Sequence, residues 1–422
     1  MLICDGMADR PLKEFRGRTP LEAAQTPNMD RIAKQGICGL MDTIAPGVPP
    51  GSDTAHLALL GNDPFKVYTG RGPFEAAGAG IDLQPGDIAF RVNYATVDDN
   101  LIVRDRRAGR IRDTKALEAV INQIKLRGVD FTFKSTVGHR ATLVLRGKGL
   151  SHEITDSDPH EIGRKVLDIR PLPQAFKRPG LIQAILTGGI RRFVGRRRRA
   201  VKTARLLNDF SRRAHEILKN HPFNLERIRR GLPPANYLLL RGGGVVPHLQ
   251  SFQERFNIRG ACVAAAALVK GVCRMIGMKV VDVPGATGGV DTDLDAKAEA
   301  ALKELETHEL VLLHVKGFDE ASHDGNATAK VQLIERTDKM LEQLIDAVDF
   351  VALAIDHTTS VSVREHTGDP VPVAIAGPGV RADDVRAYNE QAASKGGLGH
   401  ILGKDLMPII ANLMGKIEKF GA

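Results

Sequence analysis

The 422-residue chain reads as an α/β protein: a largely parallel sheet covered by helices on both faces, with a second, smaller α/β domain inserted into it. Three observations point there. Short apolar strands alternate with amphipathic helices at both ends of the chain. The middle has a different rhythm, with strands closer together and a strongly basic stretch. Where the outer strands stop, an acid or a histidine follows, as expected of a sheet whose carboxyl edge holds a ligand.

Taken in order, Met1-Leu-Ile-Cys is the end of a buried strand that stops at Asp5. Helices are expected over 21–35 and from 54 onward. Far downstream the pattern predicts a helix over 291–305, a strand over 309–315 (ELVLLHV), a helix over 331–348 and strands over 350–355 and 371–376. Between these, strands are expected over 87–99, 101–105, 141–146 and 236–240, and helices over 114–126 and 201–219. The inserted domain is therefore placed at 81–268, and the outer domain at 1–80 together with 269–422. No internal repeat is visible.

The chain is 43% hydrophobic and 26% charged, enough to bury a large core. Its clearest apolar run, 262–269, is too short to span a bilayer, and no basic-then-apolar signal pattern opens the sequence. The four cysteines form no C-x-x-C pair, which fits reduced thiols and a cytoplasmic location. The net charge of +9 is uneven: 16 Lys/Arg against three acids fall within 177–230, leaving the rest of the chain about −4. That basic stretch is expected to be a solvated excursion of the inserted domain. Four tyrosines and no tryptophan are too few for an aromatic surface that stacks single-stranded nucleic acid.

The chemistry-bearing residues follow the outer strands. Asp5 follows the first, Asp319 and His323 the strand over 309–315, and Asp356-His357 the strand over 350–355; His366 lies just ahead of the strand over 371–376. Any one of them alone would be an ordinary loop residue. Three carboxylates and three imidazoles at one sheet edge make a metal site, and the mixed oxygen and nitrogen donors suit manganese, zinc or cobalt better than calcium. Asp319 and His323 are four apart, one helical turn, so both fall on one face. Ser52 follows a Pro-Pro-Gly turn at a helix start. Serine is common there as a cap, but a metal would activate its hydroxyl as a nucleophile, and a helix N-terminus favours a phosphate.

The sequence resembles the archaeal-type cofactor-independent phosphoglycerate mutases of the alkaline phosphatase superfamily. The matching stretches are Asp5-Gly-Met-Ala-Asp, Thr19-Pro-Leu-Glu-Ala-Ala, Pro50-Gly-Ser-Asp-Thr-Ala-His and Gly70-Arg-Gly-Pro-Phe-Glu-Ala-Ala-Gly, then Asp105-Arg-Arg-Ala-Gly-Arg, Gly138-His-Arg-Ala and Arg241-Gly-Gly-Gly. They continue through His314-Val-Lys-Gly-Phe-Asp-Glu-Ala-Ser-His, Asp356-His and His366-Thr-Gly-Asp-Pro-Val-Pro. They reach nearly the whole chain in the right order. The resemblance implies an alkaline-phosphatase-like sheet core. It implies that Ser52 takes the phosphoryl group, that one metal is held by Asp5, Ser52, Asp356 and His357, and that the other is held by Asp319, His323 and His366. It also implies that Arg91, Arg106, His139, Arg140, Arg241 and, more loosely, Lys270 bind substrate. Ile355 stands where the family usually has glycine, and its bulk bears on the tilt of that loop. The stretch 180–201 looks like an insertion.

The expected activity is interconversion of 3-phosphoglycerate and 2-phosphoglycerate in glycolysis and gluconeogenesis, through a phosphoserine and without bisphosphoglycerate. Two divalent ions are expected, manganese first, with zinc, cobalt or magnesium as substitutes. The partner is a small phosphorylated substrate; no nucleic acid is required, and the oligomeric state, a homo-oligomer included, is left open. The competing readings are a homoserine kinase-like phosphotransferase or a phosphatase of the same superfamily, and a non-enzymatic polyanion-binding module built on the basic stretch.

Overall fold

A computed structural model describes residues 1–176, 189–419 and 421, and divides the chain into two compact units, Met1–Tyr68 with Leu249–Ala422, and Thr69–His248. Lys177 and Arg178 of the basic stretch, and the first part of the stretch expected to be an insertion, therefore lie outside the described residues. No helix among the described residues is long and apolar enough to cross a membrane.

The strands, in chain order, are β1 (Leu2–Cys4), β2 (Ile37–Asp42), β3 (Ile88–Val97), β4 (Val103–Asp105), β5 (Asp130–Ser135), β6 (Arg140–Arg146), β7 (Tyr237–Val245), β8 (Gly260–Val263), β9 (Lys279–Val281), β10 (Leu310–Val315), β11 (Val351–Ala354), β12 (Thr358–Ser360), β13 (Glu365–Thr367), β14 (Val371–Ala376) and β15 (Gly399–Leu402). The larger unit is built on an eight-stranded sheet in the order β15-β2-β14-β11-β1-β10-β8-β9. Every neighbouring pair is parallel except those of β14, which runs antiparallel to both β11 and β2. All residues of β10 and β14 are buried, which is why they read as unbroken apolar runs: both faces of the sheet are covered.

The reversal of β14 places the site. In a strand parallel to its neighbours, residues just ahead of it would lie at the amino edge. Because β14 runs backwards, the approach to it lies at the carboxyl edge, beside the ends of β1, β10 and β11. A short β12–β13 hairpin occupies that approach, pairing Thr359 with His366. At the opposite edge, β1 is three residues long against six for β10. The first halves of β10 and β11 thus have no strand between them, and a cavity of about 570 Å³ there is lined by Met1, Leu310, Val311, Val351, Ala352 and Ile410.

Three expectations need correcting. The helix expected over 21–35 is two helices, Pro20–Ala23 and Pro27–Gln35. Thr19 and Glu22 form a reciprocal cap on the first, and Pro27 starts the second because the residue ahead of a proline is driven out of helical geometry. The domain crossings fall at 68/69 and 248/249, not at 80/81 and 268/269. Helix Gly72–Gly78 packs on β3, β6 and β7 of the smaller unit, while β8 pairs with β10 in the large sheet. Finally, helix Gly189–Lys219 starts well before residue 201 and carries the arginine tract. Arginine is a good helix former, and Ala200, Ala204, Leu207, Phe210, Ala214 and Leu218 give the helix a buried stripe at helical spacing. The tract is therefore regular helix from 189, with Arg197, Arg198 and Arg199 exposed and Arg196 bonded to Glu153.

The smaller unit is an antiparallel sheet in the order β4-β3-β6-β5, with β7 also paired to β3. Its two glycine-rich stretches explain each other: a side chain on Gly70 would collide with the Gly243 carbonyl, and one on Gly244 would meet Gly70 Cα at 3.0 Å. The two backbones approach too closely for any other residue.

Candidate active site: a carboxylate–histidine cluster and an arginine cluster

The carboxyl edge of the large sheet gathers the outer-domain residues that the sequence singled out. Asp5 follows β1, Asp356 and His357 follow β11, Asp319 and His323 lie on helix Gly317–His323 after β10, and His366 sits in β13. Two groups of donor atoms lie close enough to share an ion: Asp5, Asp356 and His357, and Asp319, His357 and His366. His357 thus belongs to both groups, where the resemblance put it in one. His323 Nε2 is 3.2 Å from Asp319 Oδ1, so it joins the second group at its exposed rim. Gly6, at φ +74°, allows the loops to meet: a Cβ there would sit 2.5 Å from Thr359 Oγ1 and 2.9 Å from Asp319 Cα.

The histidine bonds fix which nitrogen faces the cluster. His366 Nδ1 donates to the Pro50 carbonyl (2.8 Å) and His323 Nδ1 to the Arg364 carbonyl (2.8 Å), since a carbonyl can only accept. Thr359 Oγ1 donates to Asp319 Oδ1 (2.9 Å), so its remaining contact, with His357 Nδ1 at 3.0 Å, has the imidazole as donor. All three rings therefore turn Nε2 toward the carboxylates, the arrangement that outer partners impose on metal-binding histidines. Asp356 Oδ2 is buried without a hydrogen-bond partner, an arrangement that is costly unless something else binds there.

The electrostatics fit the same reading. Burial works against the charge on Asp5, but Lys316 and the bond from His314 outweigh it and hold the carboxyl below the usual range. Asp319 is likewise depressed: burial opposes this, and the bonds from His323 and His366 prevail. Asp356 goes the other way, raised by burial and by the charges of Asp5 and Asp319. His357 is pushed down to about 3, chiefly by burial, and His323 is raised to about 9 by its bond to Asp319. The charged side chain of Lys316 reaches Asp319 Oδ2 at 2.6 Å and Asp5 at 3.3 Å. Lys316 and His323 offset part of the carboxylate charge, and the convergent oxygen and nitrogen donors suit divalent cations.

Ser52 is the first residue of helix Ser52–Leu59. Its Oγ lies 3.4 Å from His357 Nε2, at the Asp5–Asp356–His357 group. Sequence reasoning did not single out Thr359, Lys316 or His314. The last two lie inside the stretch that includes Asp319, and an acid-flanked His-x-Lys at a strand end was the available signal. The Pro50 and Arg364 carbonyls leave no trace in a sequence.

The smaller unit holds the other candidates. Arg91 pairs across β3–β7 with Arg241, and Arg140 lies opposite Asn93, so the three arginines share one sheet face. Like charges placed so close repel; two acids offset them. Glu75 lies 2.8 Å from Arg71 and 3.7 Å from Arg91. Asp158 takes both bonds of Arg106 (3.1 and 2.7 Å) and lies 3.6 Å from Arg241. Arg91 is lowered to about 9, mainly by burial, and its Nε is buried without a partner. His139 is lowered to about 4, by burial and then by Arg140. Lys270 is not part of this cluster: it lies in the larger unit, its Nζ 2.5 Å from Asp282.

An α/β unit with this sheet order, and a serine beside two groups of side chains that could each hold a cation, fits the alkaline-phosphatase-like class of folds. Comparison with known proteins narrows the class. The family model for 2,3-bisphosphoglycerate-independent phosphoglycerate mutase matches residues 33–224. The chain is 50% identical to the 2,3-bisphosphoglycerate-independent phosphoglycerate mutase 1 of Methanothermobacter thermautotrophicus over 100% of this chain and 99% of that protein. It is 47% identical to the corresponding protein of Methanocaldococcus jannaschii, over 100% and 98%. Among solved structures, a Pyrococcus horikoshii protein matches with a TM-score of 0.82 at 38% identity, covering 100% of this chain and 98% of that one. A cofactor-independent phosphoglycerate mutase from Thermoplasma acidophilum matches at 0.69 and 36%, covering 98% of each. The chain belongs to the 2,3-bisphosphoglycerate-independent phosphoglycerate mutase family. These relatives give no support to the kinase-like, phosphatase or polyanion-binding readings.

Proposed function

We propose that this chain interconverts 3-phosphoglycerate and 2-phosphoglycerate by passing the phosphoryl group through Ser52. The observation that carries the proposal is the position of Ser52 Oγ beside His357 Nε2, at the edge of a cluster whose histidines all turn Nε2 inward. Asp5, Asp356, His357 and Ser52 would hold one divalent ion, and Asp319, His323 and His366 the other, with His357 at the boundary; manganese suits the donor set. When bound, the ions lower the pKa of the serine hydroxyl and neutralise the transferring phosphoryl group.

The chain's own residues do the rest. Lys316 adds a fixed positive charge between Asp5 and Asp319, where phosphoryl oxygens gather negative charge. The N-terminus of helix Ser52–Leu59 directs backbone N–H groups and a partial positive charge at the same place. Ser52 Oγ attacks phosphorus and gives up its proton, the bond from phosphorus to the glycerate oxygen breaks and that oxygen takes up a proton, and the reverse transfer, to the other hydroxyl of the same glycerate, returns a proton to Ser52. A phosphoglycerate also carries a carboxylate, and the arginine cluster around Arg91, Arg140 and Arg241 is the feature of the smaller unit whose charge matches it. The test is an assay of purified protein with 3-phosphoglycerate and added manganese, without bisphosphoglycerate. We expect 2-phosphoglycerate to form with little free phosphate; mainly free phosphate would replace the mutase reading with a phosphatase.

A further inference from the structure

Behind the cluster lies an ion pair that touches none of its donor atoms. Lys330, on helix Ala327–Ile345, and the carboxylate of Asp9 are both fully buried, 2.8 Å apart. The three protons of the Lys330 ammonium have three acceptors: Asp9 Oδ2, the Ala8 carbonyl (3.1 Å) and the Thr359 carbonyl (2.9 Å). Asp9 in turn accepts from the backbone N–H groups of Arg10 (2.8 Å) and Val361 (3.1 Å). Its own N–H donates to Glu390 Oε1 (3.1 Å), a half-buried carboxyl whose other oxygen accepts from Thr19 Oγ1 (2.8 Å).

These bonds join separate pieces of chain. Ala8 and Asp9 belong to the loop that leaves β1 through Asp5. Thr359 and Val361 belong to the strand and turn that follow Asp356 and His357. Thr359 is also the residue paired with His366 across β12–β13, and its hydroxyl bridges Asp319 and His357. Lys330 thus holds the backbone of a residue whose side chain contacts two cluster members and whose strand partner is a third.

We propose that Lys330 and Asp9 are positioning residues for the metal centre: their bonds set the spacing between the loop carrying Asp5 and the segment carrying His357, Thr359 and His366. The physical reason for a buried ion pair here is direction. Replacing such a pair by apolar residues of similar size is often neutral for stability, so stability alone does not account for it. A tetrahedral ammonium with three fixed acceptors sets two loop segments relative to the helix that carries it, which no aliphatic side chain can do. Ligand loops need that definition because metal affinity falls when outer partners are lost, typically by 10- to 100-fold.

This inference rests on the ligand assignment proposed above, and the experiment separates the two. Manganese binding to metal-stripped protein is titrated by electron paramagnetic resonance, and the melting temperature of the stripped protein is recorded alongside. The double variant Asp9→Leu/Lys330→Met leaves no uncompensated buried charge. It is expected to melt within a few degrees of the wild type and to bind manganese at least about tenfold more weakly. Asp319→Ala, run in parallel, is expected to lose at least one equivalent of manganese. If Asp319→Ala loses metal while the folded double variant keeps wild-type affinity, the positioning proposal alone is overturned. If Asp319→Ala keeps the full complement, the ligand assignment falls and takes the proposal with it. Should the double variant not fold, Asp9→Asn keeps the side chain's size; manganese affinity unchanged from wild type in that protein overturns the proposal equally.

Discussion

The two units carry opposite charge problems. In the larger unit, Asp5, Asp319 and Asp356 converge with Lys316 as their near cation, and one carboxylate oxygen of Asp356 is buried without a partner. In the smaller unit, Arg91, Arg140 and Arg241 share one sheet face, and Glu75 and Asp158 are the acids that hold them. The first cluster gathers carboxylates and the second gathers guanidinium groups. On the proposed function, a divalent cation completes the one and an anionic substrate the other. The difference also separates what each cluster should control: chemistry and metal affinity in the first, substrate affinity in the second.

The sharpest break of that contrast is at Ser52. Ser52→Ala removes the only proposed acceptor of the phosphoryl group and should lower kcat by at least about a thousandfold, roughly 4 kcal/mol of barrier. A coupled enolase assay measures it. Exhaustive chelation should have an effect of the same order, restored by manganese.

The pH dependence of metal binding tests the first cluster next. His323, raised to about 9 by Asp319, holds a proton below that pH in the metal-free state, and Asp356, raised by burial and like charge, takes up its own more readily than a free carboxyl. A metal must displace those protons, so affinity should climb as pH rises toward about 9. Below that, it should fall by about tenfold per pH unit for each proton displaced. Calorimetric titration at several pH values gives the slope; affinity independent of pH would contradict the assignment of His323 as a ligand.

The second cluster should respond differently. Arg241→Ala should mainly raise KM, by about one to two orders of magnitude, the equivalent of a charged hydrogen bond worth about 1.5–3 kcal/mol. Steady-state kinetics at saturating manganese separates the two constants. A fall in kcat with KM unchanged would place this arginine with the chemistry instead. The smallest effect is expected on helix Gly189–Lys219: replacing the exposed Arg197, Arg198 and Arg199 with serine should change kcat/KM less than about twofold, because exposed charges there contribute little. Arg196→Ser should show more, as a loss of melting temperature, because it breaks the bond to Glu153.

Much of the first cluster was legible in the sequence, and the reason is topological. Each outer strand is a short apolar run, and its end is marked by the acid or histidine that follows, so Asp5, Asp319 and Asp356 could be placed at one edge before any coordinates. His366 was legible for a reason the pattern did not contain: the antiparallel course of β14 brings a residue ahead of that strand to the carboxyl edge. The hydroxyl of Thr359 and the carbonyls of Pro50 and Arg364 were not legible, because orienting an imidazole is a matter of distance and angle. The arginine tract misled for a different reason. Clustered charge resembles a solvated loop, yet arginine propagates a helix well, and the buried stripe from Ala200 onward anchors one. Lys330 illustrates the limit most plainly: on an amphipathic pattern a lysine belongs to the wet face, and only its three acceptors show why it is buried.

The account stands or falls on where the phosphoryl group rests between donor and acceptor. The direct measurement is peptide mapping by mass spectrometry after acid-quenching protein that is turning over 3-phosphoglycerate labelled in its phosphate. The account predicts labelled phosphate on the peptide containing Ser52, absent in Ser52→Ala and in chelated protein. Isomerisation that persists in Ser52→Ala, or label on another residue, would contradict it.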